Sequence, residues 1–171
     1  MKILFVAMIV LNTCVVHAQS FEEQIRVRNI ELFTPSKPIA NDVKAVRSGN
    51  LIFLAGHGPT RADGTNITGK VGAELTVEDG IEAARIAAIA LLSSLKAEIG
   101  SLDKIKRIVK VNGWVNCNDD FKDQPKVMNG CSDLLVEIFG DSGRHARTSL
   151  GANALPMNIA VEIEMVVEVN D

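Results

Sequence analysis

The stretch from Thr76 to Gly100 does most to constrain the fold. Val77, Ile81, Ala84, Ala88, Leu91, Leu92, Leu95 and Ile99 recur at the three- and four-residue steps of one helix face. Thr76 followed by Asp79 forms a capping-box pattern at the start, and Gly100 stops the run. A helix of this length with an alanine-rich apolar stripe must be covered, and its small side chains suit close packing on a sheet.

The sequence supplies that sheet. Val43 to Arg47 and Leu51 to Ala55 are short β-rich runs separated by Ser48-Gly49-Asn50, the composition of a tight hairpin turn. Ile105 to Asn116 is β-branched and alternating, hence a strand. Asp123 before Pro125 opens a second amphipathic helix through Met128, Cys131, Leu134, Leu135, Ile138 and Phe139, closed by Gly140. Residues 144–150 read as a strand. In the last strand Ile159, Val161, Ile163, Met165, Val167 and Val169 face one way, while Ala160, Glu162, Glu164, Val166 and Glu168 face the other. Hairpin, helix, strand, helix and two strands give an α+β layer, a β-sheet with two helices on one face.

At the N-terminus, Lys2, the apolar run from Ile3 to Leu11 and Val16-His17-Ala18 before Gln19 have the order of a secretory signal peptide over residues 1–18. The apolar run is too short to span a membrane, and Thr13 before Cys14 fits a lipoprotein signal poorly. The sequence therefore predicts export to the periplasm or the exterior, with no membrane attachment after cleavage. Residues 19–38 form an N-terminal extension. They comprise an amphipathic helix over residues 19–33, with Phe21, Ile25, Ile30 and Phe33 apolar, and a Pro35-Ser36-Lys37-Pro38 connector. Residues 39–171 make one domain, interrupted by a long Gly-rich loop from Gly56 to Gly72, of a length that is usually functional or flexible.

The formal net charge of −3, one unit more negative without Lys2, and the scattered Lys and Arg argue against nucleic acid as the main partner. Cys117 and Cys131 remain after cleavage, so at most one bridge forms, and no spacing matches a metal site. Asn66-Ile67-Thr68 is a glycosylation sequon, relevant only in a eukaryotic secretory pathway.

Residues 144–150 and 159–169, paired as an antiparallel hairpin, set Arg147 opposite Glu162 on one face. Two readings follow from that pairing. One is a cross-strand ion pair, which the pattern alone favours. The other is a fork for a carboxylate beside a general acid-base group. Trp114, on a strand, fits the core or a subunit interface better than a ligand platform.

Taken together, residues 48–56 (Ser48-Gly49-Asn50 through Ala55-Gly56), the long helix, Asn129, Ala146-Arg147-Thr148-Ser149 and Val161-Glu162-Ile163-Glu164 resemble the RidA/YjgF family from about Ile39 to Val169. The resemblance implies a chorismate-mutase-like fold, a homotrimer with a cleft at each subunit interface, and no metal or organic cofactor. It implies hydrolysis of a small 2-imino acid, enamine or imine, to the keto acid and ammonia. By position, Arg147 matches the arginine that grips the substrate carboxylate, and Glu162 the glutamate tied to the hydrolytic water. Gly56 and Asn129 match cleft-lining positions, and Ser149 stands where many relatives carry cysteine.

Two features depart from that pattern. Asp42 occupies the place of the tyrosine that closes the site in imine-hydrolysing relatives, and the chain has no tyrosine. The Ala55-Gly56-His57-Gly58-Pro59 loop marks a separate branch. His57 is the candidate proton carrier beside Glu162, and His145, in phase with Arg147 and Ser149, is a candidate for the same face. The expected partner is a small carboxylated imine, enamine or keto compound. The alternatives are a non-catalytic trimer that binds a small carboxylate and, ranked last, an endoribonuclease.

Overall fold

A computed structural model describes residues 20–36 and 41–170 of the chain. The signal peptide expected over residues 1–18, and Lys37 and Pro38 of the connector, lie outside the described residues.

Helix α1 (Phe21–Val27) starts at Ser20, whose hydroxyl accepts from Glu23 N. It is shorter than the predicted helix over residues 19–33. Asn29 has φ 53, which no helix interior tolerates, and the chain runs on without helix. Ile25 is buried and Phe21 meets Phe139 edge to face, so this segment packs on the domain. Strands β1 (Ala45–Ser48) and β2 (Leu51–His57) form the predicted hairpin, with Gly49 at φ 58 as the first of two loop residues.

Helix α2 (Val77–Ile99) has the full capping box between Thr76 and Asp79 and ends at Gly100, φ 83. It is followed by strand β3 (Ile105–Asn116) and helix α3 (Gln124–Phe139), with Pro125 in its first turn. Strands β4 (Ala146–Ala152) and β5 (Val161–Val169) complete the chain. Gly130 brings α3 against the backbone of α2 at Ile81 and Arg85. The core lies between these helices and one face of the sheet, where Ile52 and Leu54 of β2 and Ile163, Met165 and Val167 of β5 lie under α2, and Val111 and Val115 of β3 lie on the α3 side.

The sheet order is β1-β2-β5-β3-β4, and this corrects the expected pairing of the last two strands. Strand β4 is not the hairpin partner of β5. It lies parallel to β3, with Val111 beside Arg147, while β5 lies antiparallel between β2 and β3. The physical reason is twofold. A parallel pair needs a long crossover, which α3 supplies between β3 and β4. And β5, with every second residue buried, earns a central place, whereas the Arg, Thr and Ser of β4 suit an edge.

Candidate functional site

Arg147 does not face Glu162. In β4 it is level with Val111, a residue buried under the helices, so its side chain rises on the helix side at the sheet edge. There α3 arranges it closely. Its Nη1 donates to Asn129 Oδ1 at 2.9 Å and to Ser132 Oγ at 3.0 Å, and its Nη2 donates to the Pro125 carbonyl at 3.2 Å. A guanidinium has five N–H donors. Among the described residues no partner is found for Nε–H or for the remaining Nη2 hydrogen. That edge of the plane is the fork a carboxylate takes. Ser149 follows two residues on, with the same parity along the strand.

His145 joins this group through Ser132. Its Nδ1 lies 2.6 Å from the Gly143 carbonyl, which only accepts, so Nδ1 carries the proton and Nε2 is left to accept from the Ser132 hydroxyl at 3.1 Å. Burial holds the His145 pKa below the usual histidine value, and the charge of Arg147 lowers it further. The neutral ring thereby fixes the direction of the Ser132 hydroxyl, and the lone pairs of Ser132 face Arg147. Cys131, also on α3, is fully buried, and burial pushes its thiol up to about 12 against the opposing charge of Arg147.

Glu162 lies on the opposite, uncovered face of the sheet, beside Trp114 in the register. Gly56 is its neighbour on β2. A methyl group at Gly56 would fall 2.9 Å from the Glu162 carboxyl carbon, so glycine there leaves the room the carboxylate occupies. Gly56 and Glu162 thus form one group and Arg147, Asn129 and Ser149 another, separated by β3 and by the thickness of the sheet. The uncovered face also carries Asn112 donating to Glu164 at 2.7 Å, Lys110 donating to Thr148 at 2.9 Å, and exposed Phe53, Val46 and Leu150.

His57 joins neither group. It pairs with Ile163 and turns toward α2, where it is 6 % exposed. Its Nδ1 is 2.7 Å from the Ala55 carbonyl and its Nε2 is 2.7 Å from Ser94 Oγ. The expectation of a His57 beside Glu162 is corrected by this geometry. A shift in register between Leu54 and His57 puts the ring on the helix side. Sequence reading also passed over Ser132 and the Pro125 carbonyl. A serine three residues after Asn129 shares its helix face, and that spacing was the available signal.

Cys117 and Cys131 are both free. Among the described residues no cluster of three His, Cys, Asp or Glu is placed to hold a metal ion, and no helix is long and apolar enough to cross a membrane.

The model of the YjgF/chorismate mutase-like family, described as putative endoribonuclease, matches residues 25–169. The chain belongs to the YjgF/chorismate mutase-like family. Protein TCP17 of Trypanosoma cruzi is 41% identical over 143 residues, covering 83% of this chain and 89% of that protein. Among solved structures, a protein of unknown function from Agrobacterium tumefaciens superposes with a TM-score of 0.80 at 34% identity, over 89% of this chain and 93% of that one. A putative endoribonuclease from Shewanella oneidensis MR-1 gives a TM-score of 0.85 at 29% identity, over 88% of this chain and all of the other. The α+β architecture expected from the sequence is the fold of this YjgF-family chain.

Proposed function

We propose that this YjgF-family protein hydrolyses a small 2-imino acid to its keto acid and ammonia, in clefts between the subunits of a homotrimer of the exported, mature chain. The observation that carries this reading is the state of Arg147. Three of its N–H groups are spent on Asn129, Ser132 and Pro125, which fix the plane, while the Nε edge keeps a pair of donors for a carboxylate. The placement of Glu162 supports an intersubunit site. One chain holds the carboxylate fork and the acid-base group on opposite faces of its sheet, so a cleft containing both draws on two chains. The uncovered sheet face, with Phe53 and Leu150 exposed, is a surface on which such copies pack.

In the reaction, Arg147 anchors the carboxylate and keeps the imine carbon at a fixed distance from Glu162 across the interface. Glu162 takes a proton from water as the water oxygen bonds to the imine carbon and passes it to the nitrogen, giving the carbinolamine. It then takes the hydroxyl proton and delivers it to the nitrogen as the carbon–nitrogen bond breaks, so that the keto acid and ammonia leave. Ser149 lines the Arg147 side and Gly56 the Glu162 side. No cofactor enters these steps. Loss of 2-iminopropanoate, generated in place by an amino-acid oxidase, is expected to accelerate with the purified protein and to return to the background rate with Arg147→Ala. No acceleration by the unaltered protein refutes the reading.

The absence of tyrosine, with Asp42 where a tyrosine closes the site in the imine-hydrolysing pattern, favours a second reading in which the same clefts bind a small carboxylate without turning it over. A thermal-shift screen of small keto and hydroxy acids separates the two, since stabilisation that requires Arg147 without turnover marks binding alone. The endoribonuclease description attached to relatives ranks last for this chain, given its net charge of −3.

A further inference from the structure

The contact between His57 and Ser94 lies outside the cleft residues. The Ala55 carbonyl can only accept, so the His57 Nδ1 at 2.7 Å from it carries the ring proton. In the neutral ring Nε2 is then a bare lone pair, and the Ser94 hydroxyl 2.7 Å away must donate to it. The neighbouring serine behaves differently. Ser93 spends its hydroxyl on the Ile89 carbonyl one turn back, the ordinary resting place for a serine within a helix. Ser94 instead hands its proton to an imidazole whose tautomer is fixed from behind by a third group. That is the nucleophile–base–orienter arrangement of covalent catalysis, with a backbone carbonyl as the orienter.

Ser94 also borders open space. A cavity of about 430 Å³ is walled by Ser94 and Ala97 of α2, by Ala45 of β1 with Val43 and Lys44 just before it, and by Pro35. Val43 is 56% exposed, so the cavity reaches solvent, while Ser94 is 3% exposed and forms part of its inner wall. Burial lowers the His57 pKa, outweighing the Ala55 bond, and Lys44 lowers it further, which keeps the ring a free base at neutral pH.

We propose that Ser94 and His57 form a second reactive site, in which Ser94 Oγ is the nucleophile and His57 the general base, acting on a small neutral carboxylic ester with an apolar acyl group. The apolar wall of Pro35, Val43, Ala45 and Ala97 takes the acyl chain. Lys44 and Glu98 both border the cavity, so neither sign of charge is favoured in the substrate. Ser94 Oγ bonds to the carbonyl carbon as its proton passes to His57 Nε2. The bond from that carbon to the ester oxygen then breaks, and the proton goes to the departing alkoxide, which leaves as the alcohol. Water attacks the acylated serine through the same base, releasing the carboxylic acid and restoring the hydroxyl.

The test uses the whole protein and a fluorophosphonate probe, followed by p-nitrophenyl acetate as substrate. Peptide mass spectrometry is expected to place one adduct per chain on Ser94, and Ser94→Ala to abolish it. His57→Gln, which keeps a hydrogen-bonding side chain but no base, is expected to slow labelling about 100-fold. Should Ser94→Ala fail to fold, the adduct map of the unaltered chain and the His57→Gln rate decide by themselves. A folded chain that gives no Ser94 adduct, or a labelling rate indifferent to His57→Gln, overturns the proposal. Imine turnover is not used as a readout, so this outcome is independent of the cleft reading.

Discussion

A single methyl group at Gly130 should destabilise the fold. It lies on α3 between Asn129 and Ser132, the two side chains that hold Arg147, and it abuts the backbone of α2. An alanine methyl there would fall 2.9 Å from the Ile81 carbonyl carbon and 3.2 Å from Arg85 N, and closer still to the Ile81 oxygen. Ordinary contact begins at 3.4 Å, so the carbonyl carbon alone requires the helices to part by about 0.5 Å, and the oxygen by more. Both sides of the clash are backbone, so no side chain can swing away, and overpacking of this kind costs up to about 3 kcal/mol. Alanine is a better helix former than glycine by about 1 kcal/mol, which offsets part of that. The net loss is up to about 2 kcal/mol, a fall of up to about 8 °C in Tm for a chain of this size. Differential scanning fluorimetry on Gly130→Ala measures it, with Asp133→Ala, exposed on the same helix, as the control expected to stay within about 2 °C. A Gly130→Ala protein that melts at or above the wild-type temperature would refute the argument that the backbones of α2 and α3 are in contact here.

Acid should weaken the fold over two pH ranges. His57 and His145 both have lowered pKa values in the fold, from burial first, so the unfolded chain binds protons that the folded one refuses. Stability is therefore full above the ordinary histidine pKa and falls as pH drops below it toward the lowered folded-state values, a slope that urea midpoints should show and that His57→Gln should reduce. Asp79 and Asp63, lowered by their bonds to Thr76 and Thr65, act only at more acid pH, as protonation removes those bonds. Cys117 and Cys131 should resist Ellman's reagent in the native protein and react once it is denatured. Both are buried, and with the Cys131 thiol pushed up to about 12, about one in ten thousand is ionised at pH 8. Glu22 of α1 accepts from Leu102 N at 2.9 Å and pairs with Lys96 at 2.6 Å. Glu22→Ala should cost about 1–2 kcal/mol by orphaning that N–H, while Glu22→Gln, which retains an acceptor, should cost clearly less. Equal losses would mean that the part-exposed ion pair carries the effect.

The elements were legible where the signal was local. The capping box at Thr76, the Gly100 and Gly140 stops, the Gly49-Asn50 turn and the period of β5 each depend on neighbours in the chain, and the structure has them. What failed depended on neighbours in space. Sequential strands invite a hairpin, yet α3 gave β4 a parallel partner, and the order of the sheet turned the apparent facing pair of Arg147 and Glu162 into residues on opposite faces. Alternation placed His145, Arg147 and Ser149 in phase, and Ser132 links the first two. The same parity rule could not follow His57 through the shift in β2 register.

The position of β3 between Arg147 and Glu162 has a genetic consequence. If catalysis requires both groups, each chain contributes two unmatched halves, and neither half completes the other within that chain. Two inactive variants, one lacking Arg147 and one lacking Glu162, would then restore working clefts when co-assembled, and a defective copy would poison clefts in its partners. With clefts between subunits as proposed above, the protein would be inherited as an assembly, its dose counted in pairs of neighbouring chains.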